Sequence, residues 1–207
     1  KVVYTAPHQP GEQFILHSML DAEADEQRVV LKEGGFGDGV GGVDFASVES
    51  VTRYGSRVAG MKVPAFTGSL DVVVRPGPDE SAMETLRDWR NSWSYFDDGL
   101  LKVVARDGGN REARVRLVEF AEVPFDPSGV TLIEDSVQYR CLDGCWSGGI
   151  RTYTGNVTVT VPGDLPPKLR LKWDGRSTDF TLPSGLTVSL GSGPGTRWID
   201  LERGMQG

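Results

Sequence analysis

The sequence predicts a mainly β chain with one short helix, an α+β protein in two parts. Three observations predict it. Short segments alternate apolar and polar residues with the period of two that a half-buried strand requires. Turn residues, among them 27 Gly and 12 Pro, separate those segments at close intervals. A single stretch, opening at Ser81, carries helical periodicity behind a capping signal. We expect a β-barrel or β-sandwich domain with a helix and a hairpin over 1–147, and a smaller β-sandwich over 148–207.

In chain order, Gln13 to Leu20 reads as a strand with Phe14 and Leu16 on one face, followed by an acidic solvated loop from Asp21 to Glu26. Arg28 to Lys32 gives a second short strand. The run from Gly34 to Gly42 reads as a long mobile loop. It contains Gly37-x-Gly39-x-x-Gly42, a formal match to the dinucleotide fingerprint. That chemistry needs a helix beginning inside the motif, and Val43 to Val48 alternates as a strand does. Val48 to Thr52, Arg57 to Pro64 and Phe66 to Arg75 are further strands, the last ended by Pro76-Gly77-Pro78.

The helix follows. Ser81-Ala82-Met83-Glu84 is a capping box, in which the hydroxyl takes a free N–H of the first turn and the carboxylate reaches back to the cap. Ala82, Leu86, Trp89 and Trp93 then mark one apolar stripe, with Arg87, Asp88, Arg90 and Asn91 on the remaining face. The helix should fade over Ser92 to Ser94, and Asp97-Asp98-Gly99 turns the chain into a hairpin over Leu100 to Phe120. There Ala113, Val115 and Leu117 alternate with Arg114 and Arg116. With glycines at its turns, arginines on one face and apolar residues on the other, this hairpin is suited to reaching across an interface.

Beyond the turn cluster Pro124 to Gly129, Val137, Tyr139 and Cys141 alternate, and glycines between Asp143 and Thr154 suit a domain boundary. The rest reads as β: Asn156 to Val161, then Leu169, Leu171 and Trp173, then Leu186, Val188 and Leu190, and finally Trp198. Trp146, Trp173 and Trp198 either fill a core or stack on sugars, and their alternation favours the core.

Composition narrows the function. The net charge of -7 speaks against a nucleic acid or an anionic membrane surface as partner. No apolar run is long enough to span a bilayer, and no secretory signal opens the chain. The two cysteines, Cys141 and Cys145, read as free thiols, with a small local disulfide as the alternative. Only His8 and His17 are available for a triad or a metal, and no G-x-S-x-G elbow is present. Asn156-Val157-Thr158 is a sequon that would matter only on a secretory route. We therefore expect no catalytic residue, no cofactor and no metal. A hydrolase whose acids converge only in the fold is the third-ranked alternative.

The order of the pieces resembles a family. A β-rich start and Gly-rich loop precede Gly55-Ser56-Arg57-Val58 and a strand to Val74. A helix ending in Trp89-Arg90 and the hairpin come next, then a tyrosine strand closing on Trp146-Ser147-Gly148, and Gly163-Asp164-Leu165-Pro166-Pro167 with Asp174-Gly175. This resembles the distal tail proteins, or minor tail proteins, of long-tailed bacteriophages. The resemblance implies a structural virion protein without enzymatic activity, made in the host cytoplasm and placed at the tail tip. Its N-terminal domain would form a ring, commonly hexameric, between the tail tube and the tip or hub proteins. A galectin-like sandwich, abbreviated or truncated here, would lie outside and offer a host surface glycan as a further partner. The arginines of the hairpin, Arg106, Arg111, Arg114 and Arg116, are the expected ring contacts. The alternative is a carbohydrate-binding module that uses the tryptophans of the second domain.

Overall fold

The computed structural model describes residues 1–8, 11–20, 27–37, 39, 41–49, 54–77, 79–106, 108–122, 132–148, 151–155, 169–181, 185 and 187–201. The sequon, the Gly163 to Pro167 segment, the acidic loop and the Pro124 to Gly129 cluster lie outside them. The chain divides into two compact units, 1–151 and 152–207.

Among the described residues of the first unit, eight strands share one sheet. They are β1 (Val2–Thr5), β2 (Gln13–His17), β3 (Val29–Gly37), β6 (Phe66–Val74), β7 (Gly99–Val104), β8 (Asn110–Phe120), β9 (Ile133–Cys141) and the short β10 (Ser147–Gly148). Two more, β4 (Asp44–Glu49) and β5 (Ser56–Lys62), pair only with each other, and one helix, α1, spans Ala82–Asn91. The order in the main sheet is β2-β1-β7-β8-β9-β6-β3, with β10 alongside β8, and its ladders are antiparallel. The mainly β class with one short helix is what the sequence predicts.

Strand β8 is the pivot. Its first half pairs with β7, and its second half pairs with β9 across a bulge between Leu117 and Glu119. A bulge adds twist and bends its strand, so the sheet folds over and its edge strands β2 and β3 come into contact. Both halves contribute inward residues to one core: Tyr4, Leu101 and Val115 from one, Leu70, Val72, Val137 and Tyr139 from the other. Along β6, β8 and β9 these alternate with exposed or half-buried residues, as a one-sided sheet demands.

Helix α1 starts as predicted. Ser81 Oγ accepts the Glu84 N–H at 3.3 Å, and the Glu84 carboxylate accepts the Ser81 N–H at 2.8 Å, holding Glu84 below the usual carboxylate range. Ala82, Leu86, Trp89 and Trp93 are all buried. Trp89 and Trp93 enclose Tyr4, which stacks on Trp93 at 4.0 Å between centroids and meets Trp89 edge-on at 5.6 Å. Phe14 adds a second edge contact to Trp89 at 5.2 Å, and the Tyr4 hydroxyl donates to the Ser92 carbonyl at 2.9 Å. Gly99 is required beside this cluster, because a Cβ there would stand 2.6 Å from the Tyr4 ring.

Arg90 does not lie on a solvent face, as the helical wheel suggests. It donates to both carboxylate oxygens of buried Asp135 on β9, at 3.2 and 2.7 Å, and to the Ala121 carbonyl at 2.8 Å. Its guanidinium also covers the Phe120 ring at 4.9 Å. The pair supplies the charged partner that a buried Asp135 needs, and so anchors the helix to the sheet.

The Gly-rich run corrects the sequence reading. Gly35, Gly37, Gly39 and Gly41 are packed, because glycine lets backbones approach where no Cβ would fit, while Gly34 and Gly42 are exposed with open space around them. Gly34, at φ 71°, and Gly35 lie in an irregularity of the β3 ladder between Leu31 and Phe36. A Cβ on Gly37 would stand 2.2 Å from Ser69, and one on Gly39 2.2 Å from the Phe66 ring. The Gly37 carbonyl accepts the Tyr139 hydroxyl at 3.4 Å, and the Gly39 carbonyl accepts Trp146 Nε1 at 3.3 Å. Trp146 is thereby held between Phe36 and Phe66, with centroid distances of 6.1 and 6.3 Å.

In the second unit, the described residues form two ribbons. Strands β11 (Leu169–Trp173) and β14 (Arg197–Leu201) make one, and β12 (Thr178–Thr181) with β13 (Thr187–Leu190) the other. Their turns are joined by the Gly193 N–H donating to the Gly175 carbonyl at 2.8 Å.

Three measurements test this account. Trp89→Ala should lower unfolding free energy by about 3–5 kcal/mol in urea titration, because the ring is fully enclosed. Gly39→Ala should cost about 1–3 kcal/mol, since its Cβ must displace Phe66; an unchanged midpoint would mean the run is loose. Burial, with the Glu12 charge adding, raises the Tyr4 pKa well above its ordinary 10.0. The stability this contributes is fully present below pH 10.0 and is lost as pH climbs above it, where the unfolded chain gives up the proton first. Tyr4→Phe should flatten that alkaline decline, while losing about 1 kcal/mol at neutral pH with the hydroxyl's hydrogen bond.

Candidate assembly surface

The predicted ring contacts sit on β7–β8, and this hairpin is not free-standing. β1 pairs along the outer side of β7, and β9 and β10 along β8, so the hairpin is interior to the sheet. Arg114 is engaged by Asp143, with two hydrogen bonds of 2.8 and 2.7 Å, and Arg116 by Asp98. Those carboxylates raise the pKa of both guanidinium groups. Arg106 and Arg111 are exposed and form no ion pair among the described residues. The structure thus splits the four arginines into a pair engaged by carboxylates of the same chain and a pair near the β7–β8 turn with no ion pair among the described residues.

A different hairpin has the free-standing character. Every residue of β4 and β5 is exposed. The ladder pairs Asp44 with Lys62, Phe45 with Met61 and Ala46 with Gly60, then shifts so that Ser47 meets Val58 and Val48 meets Arg57. The shift leaves Ala59 as the extra residue of a bulge. Cross-strand partners share a face, so Phe45, Met61, Ser47 and Val58 lie on one side. The bulge is what brings Met61 and Val58 together although they are three residues apart. Asp44, Lys62, Ala46, Gly60, Val48 and Arg57 lie on the other.

The ribbon is therefore amphipathic. Phe45 is 62% exposed and Val58 66%, with Met61 beside them. A lone two-stranded ribbon is marginally stable in water, and among the described residues no further strand pairs with either outer edge. Burying such a side chain contributes about 1.5–3 kcal/mol, so a partner surface would stabilise ribbon and complex together. Sequence reading identified the strand segments but not this property, because alternation suggests a buried face and the bulge is invisible without the register.

Among the described residues the chemistry-bearing side chains do not converge. Exposed His8 lies 3.6 Å from Asp97, and His17 is exposed on β2. An open depression of about 310 Å³ near His8 is lined by Ala6, Glu12, Asp88, Asn91 and Ser92, with no nucleophile and base in contact. No group of three or more His, Cys, Asp or Glu side chains could hold a metal among the described residues. Cys141 and Cys145 are both free thiols. Burial pushes the Cys141 thiol up, against backbone hydrogen bonds at Gly144 and Asp143 that favour the thiolate, and its S–H donates to the Cys145 carbonyl at 3.8 Å.

The tryptophans separate. Trp146 packs against the core of the first unit, and Trp173 is half-buried, with Nε1 donating to the Gly191 carbonyl at 3.4 Å. Trp198 departs from the expected core position and is 63% exposed. In the β11–β14 register Trp198 stands opposite exposed Lys172, on the face away from half-buried Leu171 and Ile199.

No helix among the described residues is long and apolar enough to cross a membrane. No protein-family model matches the chain, and no curated protein sequence matches it. Among solved structures, the chain is similar to the crystal structure of SPP1 Dit (gp 19.1), described as a paradigm of hub adsorption apparatus in phages that infect Gram-positive bacteria. The similarity covers 87% of this chain at 12% sequence identity, with a TM-score of 0.43. The chain spans 58% of the length of that protein.

Proposed function

We propose that this protein is a structural subunit of a bacteriophage tail tip, assembling as a closed ring that joins the tail tube to the tip or hub proteins. The observation that carries the reading is the β4–β5 ribbon, exposed on both faces and apolar on one. The segment order shared with distal tail proteins supplies the setting: a virion component, built in the host cytoplasm, with a hexamer as the expected ring.

The physical argument concerns what a ring subunit has to offer. A closed ring is built from one heterologous contact repeated, so each subunit needs two different surfaces that fit each other. The ribbon supplies an arm with two open backbone edges and an apolar face. Hydrogen bonding along an edge fixes register, and the apolar face supplies most of the affinity. The exposed arginines, Arg106 and Arg111, belong at the rim of such a contact. Each rim charge pair contributes about 0–1 kcal/mol and is weakened by salt. Arg114 and Arg116, already paired within the subunit, serve its own fold. Nothing in this arrangement requires a reaction, and the role is structural.

The test uses the assembled particle. Phe45→Glu with Val58→Glu should abolish incorporation into tails while leaving the thermal midpoint of the isolated subunit nearly unchanged, because both side chains are already in water. Arg106→Glu with Arg111→Glu should weaken assembly less and make it more sensitive to salt. Images of particles should place several copies around the tail axis. A single copy per particle, or copies away from the axis, would refute the ring.

A further inference from the structure

We propose that the outer face of the β11–β14 ribbon is a binding site for an acidic glycan, with Trp198 as the stacking platform and Lys172 as the acid-recognising group. The ribbon's two faces differ. Leu171, Trp173 and Ile199 are half-buried and point one way, while Arg170, Lys172 and Trp198 are exposed and point the other. A Trp on a face otherwise built of charged residues has an apolar ring where the strand pattern asks for a polar one. It is 63% exposed, in a chain whose other tryptophans are buried or half-buried.

The surroundings of Trp198 narrow the ligand. Arg170 sits over the ring at 5.1 Å, which fixes the plane of the indole and covers one of its sides. With 63% of the residue exposed, the indole offers a flat apolar surface with a polar edge, suited to the C–H face of a pyranose ring. Lys172 is the direct cross-strand neighbour of Trp198, so its ammonium stands beside whatever stacks there. Lys172 is exposed and stands opposite Trp198 in the ladder. A cation next to a stacking platform selects a ring that carries an anionic group. The net charge of -7 argues against a polyanion that binds by charge alone, so the ring contact has to supply part of the affinity and single-stranded nucleic acid is disfavoured. A glycan with carboxylate or phosphate groups on its rings meets both requirements. The site lies outside the ring-forming unit and does not depend on the ring.

The experiment titrates the whole protein with acidic oligosaccharides of both kinds, oligogalacturonate for carboxylate and a phosphomannan fragment for phosphate. Maltohexaose serves as the neutral control and oligothymidylate as the nucleic-acid control, with tryptophan emission and calorimetry as readouts. At least one acidic oligosaccharide should bind, more weakly as salt rises, and shift the emission of the exposed indole. Trp198→Ala should weaken that binding at least about tenfold, the scale of losing one stacking platform. Lys172→Gln should remove the preference for acidic over neutral sugar with the ring untouched. Both side chains point outward, so the near-ultraviolet dichroism of the first unit and the thermal midpoint should persist in each variant. The proposal is overturned if neither acidic oligosaccharide binds, if Trp198→Ala binds as the parent does, if maltohexaose binds equally well, or if oligothymidylate competes on equal terms.

Discussion

The contact on which the first unit depends is the enclosure of Tyr4 by Trp89 and Trp93. Tyr4 belongs to a strand of four residues at the start of the chain, far too short to hold its place through its own ladder. Stacking on Trp93, edge contact with Trp89 and the hydroxyl's bond to the Ser92 carbonyl fasten that strand to the end of the helix. The same strand pairs with β2 on one side and β7 on the other. One aromatic cluster therefore couples the N-terminal strands, the helix C-terminus and the centre of the sheet. Gly99 belongs to the same design, since any side chain at that point of β7 would occupy the tyrosine's space.

A second constraint works at the other end of the core, where glycines set the distance between strands. Gly68 stands directly opposite Tyr139 in the β6–β9 ladder, and a Cβ there would lie 2.4 Å from the tyrosine hydroxyl. With Gly37, Gly39 and Trp146 it makes a region where large rings lie on bare backbone. The two ends solve the same problem in opposite ways. At the helix end, rings pack on rings. At the glycine end, rings pack on main chain, and the backbone carbonyls gain hydrogen-bond donors from Tyr139 and Trp146.

Much of this was legible in the sequence, and the failures have definite causes. The capping box, the buried stripe of α1 and strands β6, β8 and β9 followed from period and punctuation, which are local properties. Strand β1 was missed because Val2-Val3-Tyr4-Thr5 has no alternation and no preceding turn, being buried on both faces. The glycine run was misread because glycine favours both flexible loops and tight backbone contact, and only the partner strand distinguishes them. Arg90 reads as a surface residue until Asp135 arrives from 45 positions away. The exposed faces of β4–β5 and of Trp198 were hidden for a related reason. Alternation tells which residues share a side, and never whether that side meets a core.

That last distinction governs how function is read from this fold. In the first unit the apolar faces of the main-sheet strands close on one another, and the charged groups Arg90, Arg114 and Arg116 are matched by Asp135, Asp143 and Asp98. Among the described residues these groups are thus already matched within the unit. The β4–β5 ribbon contrasts with them, with an apolar side, a bulge that aligns Val58 with Met61, and outer edges that no further strand pairs with among the described residues. Such a ribbon is a hazard in a monomer, because open edges invite indiscriminate pairing. Its persistence is explained when a specific neighbour covers it. Among the described residues the two histidines lie apart, and Asp98, Asp135 and Asp143 are each matched by an arginine. The proposed assembly rests on that contrast between paired groups and an exposed apolar ribbon.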